Sequence, residues 1–233
     1  MTHEIQNFTF QNPTKILFGR NRIEDIDNEI PKDAKVLVLY GGGSVKKNGA
    51  FDRAVKALGN REWDEFSGIE ANPTFETLMK AVEKVRAGNF TYLLAIGGGS
   101  VIDGTKFVSA ASLFTEDPVD LFGWGVGKGL PVQEVVPFGT ILTLPATGSE
   151  MNSGAVITLV EKKAKVSFRG PKTFPVFSVL EPELTYTLPV RQLVNGLLDT
   201  FIHVMENYLT YPVGALLQDR YAESILQTLI EIA

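Results

Sequence analysis

Two hydrophobic patterns alternate along the first three quarters of the chain. Short continuous apolar runs predict buried β-strands, and apolar positions repeating every three or four residues predict amphipathic helices. The expected strands are residues 8–10, 15–19, 35–40, 92–96, 139–144 and 175–180, with a hairpin at 154–160 and 165–168. The expected helices are residues 50–58 and 75–86, and a third that opens at a glycine turn at 97–100 and ends near 114.

Alternating strands and helices with wholly apolar strands indicate a parallel sheet that is covered by helices on both faces. The pattern changes after Glu181-Pro182, where residues 189–209 and 214–232 predict two helices with no strand between them. We therefore expect an α/β domain at residues 1–182, followed by the beginning of an all-α domain at 183–233.

Composition narrows the functional classes. The chain has 233 residues, a net charge of −5 and no cysteine, which disfavours nucleic-acid binding and excludes disulfides and thiolate chemistry. No apolar run approaches the roughly 18 residues of a membrane span, and the amino terminus does not resemble a signal peptide. A cytoplasmic protein is expected, with no nucleic-acid or membrane partner.

The turn Gly97-Gly98-Gly99-Ser100 joins an apolar strand to a predicted helix. Glycines at such a junction let backbone N–H groups approach a phosphate, so the context favours pyrophosphate binding over an ordinary capped turn. Ser100 and Asp103 also match a helix-capping pattern. The spacing is not GxGxxG, so the common Rossmann fingerprint is absent.

A second glycine turn, Gly41-Gly42-Gly43-Ser44, follows the strand at 35–40. NAD-specific sites usually place an acid near such a strand end, but no acid lies between Tyr40 and Asp52. Ser44, Lys46 and Lys47 stand there instead, which suits a 2′-phosphate and predicts a preference for NADPH over NADH. The alternative is that both lysines are simply solvated.

Asp199 and His203 lie four residues apart in an apolar helical segment. Residues with this spacing share a helix face, and burying an acid and an imidazole there requires a partner. A divalent metal is one such partner, and a simple Asp–His helix pair is the alternative.

The motifs GGGSVID at 97–103, LPATGSEMN at 144–152 and DTFIH at 199–203 together resemble the iron-containing (group III) alcohol dehydrogenases, in particular their NADP-dependent aldehyde reductase and butanol dehydrogenase branch. The resemblance implies a dehydroquinate synthase-like architecture, and hydride transfer between NADP(H) and an aldehyde–alcohol pair at Fe²⁺ or Zn²⁺. It further implies a homodimer formed through residues 8–18. The implied metal ligands and catalytic residues are Asp199 and His203, and the implied cofactor contacts are Gly42, Gly43, Ser44, Asn72, Gly97, Gly98, Gly99, Ser100, Asp103, Thr143, Thr147, Asn152 and Lys165.

The metal site departs from the family pattern. Family members supply two further histidine ligands from later in a longer chain, whereas this sequence holds only His3 and His203, and His3 is not expected to be a ligand. The sequence is therefore expected to be either the front part of a longer protein or a shortened homologue with impaired metal binding. The alternative functions are a non-catalytic NADP-binding module and, ranked lower, a glycerol dehydrogenase-like oxidoreductase.

Overall fold

Eight strands and seven helices form the part of the chain that the structure, a computed structural model, describes: residues 7–210 and 214–233. His3 lies outside these residues. The strands are β1 Lys15–Phe18, β2 Val36–Tyr40, β3 Trp63–Phe66, β4 Tyr92–Gly98, β5 Phe138–Leu144, β6 Gly154–Leu159, β7 Ala164–Arg169 and β8 Phe177–Leu180. The α-helices are α1 Ile26–Glu29, α2 Ser44–Lys47, α3 Ala50–Leu58, α4 Phe75–Gly88, α5 Gly99–Leu113, α6 Val190–Tyr208 and α7 Leu216–Glu231.

Six strands form one sheet in the order β1-β8-β5-β4-β2-β3, and every neighbouring pair is parallel. The predicted parallel α/β sheet is therefore confirmed. The predicted hairpin is confirmed as well, because β6 and β7 pair antiparallel as a separate two-stranded sheet.

The central strands bury both of their faces. Val36 and Val38 point into a core that α1 and α3 cover, whereas Leu37 and Leu39 point into a second core beneath α4 and α5. All four side chains are fully buried. This explains why the sequence shows continuous apolar strands rather than alternating ones.

One strand predicted from the sequence was wrong, and one strand was missed. Residues 8–10 form no strand, and Phe8 and Phe10 are 86% and 85% exposed. An extended segment without a partner strand has no hydrogen-bond ladder to stabilise it. Conversely, Trp63–Phe66 forms edge strand β3 beside β2, where two acids among its four residues weaken the hydrophobic signal.

After β8 the described chain contains helices α6 and α7 and no further strand, which matches the expected change of pattern. α6 approaches the sheet closely at Gly196, where a Cβ atom would lie 2.8 Å from the Pro145 carbonyl oxygen. The domain boundary near residue 183 stays a prediction. Within the described residues, no helix combines the length and the apolar character that crossing a membrane requires.

Candidate functional site

The carboxyl ends of β2 and β4 lie side by side, and their following helices cover opposite faces of the sheet. α3, which follows β2, packs in the core of Val36 and Val38, whereas α5, which follows β4, packs in the core of Leu37 and Leu39. Open parallel sheets bind ligands at such a switch in strand order. Both glycine turns meet at this point.

A cavity of about 670 Å³ opens at these carboxyl ends. We call it the glycine cavity, because its wall includes the backbone of both glycine turns. Its lining includes Gly41, Ser44, Gly97, Gly98, Gly99, Ser100, Thr143, Thr147 and Asp199. Gly42 and Gly43 belong to the turn between β2 and α2 but do not line this cavity. The predicted phosphate loop and the predicted metal ligand Asp199 therefore meet at one site.

The amino terminus of α5 presents its backbone to the glycine cavity. The helix begins at Gly99, and no side chain caps its first turn, so the capping role expected for Ser100 and Asp103 was wrong. Ser100 Oγ instead accepts a hydrogen bond from the Asn72 backbone N–H at 3.2 Å. The first backbone N–H groups of a helix have no intrahelical acceptor, and without a capping side chain they suit an anionic ligand.

Gly99 has no room for a side chain. A Cβ atom there would collide with Thr147 Oγ1 and lie 2.9 Å from Thr147 Cγ2. A Cβ atom at Gly41 would lie 3.0 Å from the Ile69 carbonyl oxygen. Glycine at these two positions therefore lets the turns pack closely at the edge of the cavity.

A second cavity of about 550 Å³ adjoins the first and shares Gly99, Ser100, Thr147 and Asp199 with it. We call it the hairpin cavity, because one face of the β6–β7 hairpin forms a wall of it. The lining also includes Asn72, Asp103, Ser149, Asn152, Lys165, Ser167, Arg169 and His203. Two cavities that share the start of α5 can hold a dinucleotide and a substrate side by side.

Asp199 and His203 meet the requirements of a metal site in residue type and spacing. Asp199 Oδ2 lies 3.7 Å from His203 Nε2, and both side chains are about half exposed to the cavity. Two ligands of one tetrahedral ion lie roughly 3.4 Å apart, and catalytic sites use three or more protein ligands. Among the described residues no cluster of three or more acidic, histidine or cysteine side chains is arranged for a metal. The two side chains therefore fit a metal ion in their chemistry, but the described residues supply only two donors.

Lys106 is the main site residue that the sequence analysis missed. Its side chain is fully buried, and its ammonium group donates to Ser149 Oγ at 2.8 Å, Asn152 Oδ1 at 2.9 Å and the Gly154 carbonyl at 2.7 Å. Burial lowers the pKa of Lys106 to about 8. A lysine three residues after Asp103 in an otherwise apolar helix was the available signal.

Asp103 lies between this buried lysine and the hairpin cavity. Its carboxylate accepts hydrogen bonds from Ser149 Oγ at 2.5 Å and from the Val156 backbone N–H at 2.9 Å. Burial raises the pKa of Asp103, while the hydrogen bond from Ser149 acts in the opposite direction. Asp103 therefore joins α5 to the hairpin as well as lining the cavity.

The hairpin also reaches the opposite wall of the cavity. Lys165 Nζ donates to Asn72 Oδ1 at 2.7 Å, so two predicted cofactor contacts lie together. Asn152 Oδ1 accepts from Lys106 and from the Gly154 backbone N–H, and its amide nitrogen donates to the Gly148 carbonyl. Asn152 is thus held firmly at the cavity wall.

Lys46 has a different role from the one that the sequence suggested. Its ammonium group bonds to Glu65 at 2.7–2.9 Å and lies over the rings of Tyr40 and Phe51. The side chain lines neither cavity. Ser44 remains at the wall of the glycine cavity.

Residues 13–182 match the protein-family model described as "Iron-containing alcohol dehydrogenase". Among curated proteins, the NADPH-dependent aldehyde reductase YqhD of Escherichia coli is 51% identical over 229 residues, which are 97% of this chain and 58% of that protein. The probable NADH-dependent butanol dehydrogenase 1 of Bacillus subtilis is 43% identical, over 98% of this chain and 59% of its own length.

Solved structures agree with these matches. The crystal structure of E. coli YqhD superposes with a TM-score of 0.92 at 50% identity, covering 97% of this chain and 57% of the other. The NADH-dependent butanol dehydrogenase A of Thermotoga maritima gives a TM-score of 0.91 at 37% identity, covering 98% and 57%. The chain therefore spans somewhat less than three fifths of the length of these relatives.

Proposed function

Since this chain belongs to the iron-containing alcohol dehydrogenase family, we propose that it binds NADPH and contributes to the reduction of short-chain aldehydes to alcohols at a divalent metal. One observation carries the proposal: Asp199 lines both the glycine cavity and the hairpin cavity. A metal ligand placed there stands beside both the dinucleotide and the substrate.

The glycine cavity suits the dinucleotide. The uncapped start of α5 offers backbone N–H groups to the pyrophosphate. Asp199 is the only acid among the described residues that line this cavity, so no carboxylate near Ser44 repels a 2′-phosphate. This supports NADPH rather than NADH, and the relatives include both NADPH-dependent and NADH-dependent proteins.

The metal would be held by Asp199 Oδ2 and His203 Nε2, with further donors from outside the described residues. Carboxylate and imidazole suit both iron and zinc. When bound, the dinucleotide supplies a hydride and the metal acts as a Lewis acid toward the substrate oxygen. The chain's own residues position these groups: Lys106 donates to the Gly154 carbonyl and Asp103 accepts from the Val156 backbone N–H, so α5 is held against the hairpin.

The test combines three measurements on the purified chain: NADPH binding by fluorescence, metal content, and NADPH oxidation with butyraldehyde. We expect NADPH binding, together with metal binding that Asp199→Asn and His203→Ala each reduce at least tenfold while NADPH affinity changes less than about threefold. The matched control is Asp33→Asn, because Asp33 is exposed and precedes β2 at the opposite end of the sheet. Metal affinity unchanged in both ligand variants would contradict the proposal.

A second candidate is an NADPH-binding module without turnover. The count of two metal donors among the described residues favours it. NADPH binding without metal uptake or aldehyde-dependent oxidation would support this module, whereas turnover that depends on Asp199 and His203 would exclude it.

A further inference from the structure

One face of β7 presents polar side chains in a row to the hairpin cavity. Lys165, Ser167 and Arg169 alternate with residues on the opposite face, and all three line the cavity. Phe168, between the last two, is buried against Phe107 and Phe122. Since residues two apart in a strand are about 6.5–7 Å apart, the row carries a cation at each end with a hydroxyl between.

The two cations differ in what they bind. Lys165 donates to Asn72 Oδ1. Arg169 makes no side-chain hydrogen bond or ion pair within the described residues, and its side chain is exposed. Its position is nevertheless well defined, because β7 pairs with β6 throughout, with Arg169 opposite Gly154. A glycine there leaves the guanidinium unobstructed by a side chain on the neighbouring strand.

The negative groups in this cavity leave Arg169 available. Asp103 accepts hydrogen bonds from Ser149 and Val156, and Asp199 lies beside His203. Neither carboxylate lies within 4.0 Å of the Arg169 guanidinium. Arg169 also lines a neighbouring cavity of about 570 Å³ together with Trp124, at the end of the hairpin that is remote from its turn.

Arg169 is not among the predicted cofactor contacts, four of which, Asn72, Asp103, Asn152 and Lys165, also line the hairpin cavity. The glycine turns and the α5 amino terminus line the glycine cavity, where Arg169 is absent. The hairpin cavity meets the glycine cavity at Gly99, Ser100, Thr147 and Asp199, whereas Arg169 lies on the hairpin wall. A guanidinium binds a carboxylate through two parallel hydrogen bonds, and Ser167 offers a further donor.

We infer that Arg169, with Ser167, recognises a carboxylate on the substrate, so that the preferred aldehydes carry a carboxylate at the end remote from the carbonyl. The inference rests on the proposed function for the identity of the hairpin cavity as the substrate site. The carboxylate subsite on β7 can be tested by itself, because the binding of a carboxylate is measurable without turnover.

The test uses malonate as a non-reacting dicarboxylate probe and isothermal titration calorimetry at low ionic strength, with and without saturating NADPH. We expect Arg169→Gln to weaken malonate binding at least about tenfold, because a charged hydrogen-bonded pair is lost, and Arg169→Lys to lose less. The control is Arg191→Gln, since Arg191 is exposed, lines neither cavity and carries the same charge.

Unchanged malonate affinity in Arg169→Gln would overturn the inference, and so would an equal loss in Arg191→Gln, which would indicate general charge attraction. NADPH could also displace malonate from the wild type but not from Arg169→Gln. That result would assign Arg169 to the cofactor and would also overturn the inference. NADPH titration of the same wild-type sample separates the two proposals: absent NADPH binding contradicts the proposed function, while the malonate comparison without NADPH still decides the subsite.

Discussion

Replacing Gly99 by alanine tests the close packing at the start of α5. The new Cβ atom would collide with Thr147 Oγ1 and approach Thr147 Cγ2 to 2.9 Å. Thr147 cannot rotate away freely, because its Oγ1 accepts a hydrogen bond from the Ser149 backbone N–H at 3.2 Å. Overpacking costs about 1–3 kcal/mol, and losing that hydrogen bond costs roughly 1 kcal/mol. We expect Gly99→Ala to lower the free energy of unfolding by about 2–3 kcal/mol.

Gly42→Ala is the matched control, because a Cβ atom at Gly42 meets nothing within 4 Å. Its unfolding free energy should change by less than about 0.5–1 kcal/mol. Guanidinium-induced unfolding measures both variants, and NADPH titration of Gly99→Ala should show at least a tenfold loss of affinity. NADPH affinity should fall because the collision with Thr147 shifts the backbone at the start of α5, which faces the phosphate.

A double-mutant cycle identifies the cause. Thr147→Ala removes Oγ1 and Cγ2 and leaves a Cβ atom 3.2 Å from the new methyl group, so Gly99→Ala should cost less than about 1 kcal/mol in that background. An equal cost of Gly99→Ala in both backgrounds would refute the steric reasoning.

The remaining predictions concern three other polar groups. Burial lowers the pKa of Lys106 from 10.5 to about 8 in the folded chain, so between these pH values the unfolded chain binds more protons, and the stability of the wild type should rise with pH relative to that of Lys106→Met. Chemical denaturation at pH 7.5 and 9.5 measures the difference in unfolding free energy between wild type and variant. A difference that falls as pH rises would contradict the assignment. Ser44→Asp places an acid at the wall of the glycine cavity and should shift the ratio of NADPH to NADH affinity toward NADH at least tenfold by fluorescence titration; an unchanged ratio would remove Ser44 from the cofactor site. Glu181 is buried and accepts from Arg53 at 2.6 Å and from the Arg22 backbone N–H at 3.0 Å, so Glu181→Gln should destabilise the fold by about 2–3 kcal/mol in urea unfolding; a loss below 0.5 kcal/mol would show that the network is dispensable.

Much of the site was predictable because its parts are local in sequence. The turn at Gly97–Ser100 and the pair Asp199 and His203 each lie within a few residues of chain. The side-chain partners were less predictable, because they come from distant segments: Lys106 meets Asn152, and Lys46 meets Glu65 rather than the cavity.

The sequence by itself determined most of the strands, the longer helices and the two glycine turns, since apolar periodicity and glycine chemistry act over a few neighbouring residues. Only the tertiary structure decided that β1 pairs with β8, where Lys15 lies beside Phe177. It also decided that Asp199 adjoins the start of α5 and that Arg169 lies on the hairpin wall. These juxtapositions depend on sheet order and on packing between segments far apart in the chain, which no local pattern specifies.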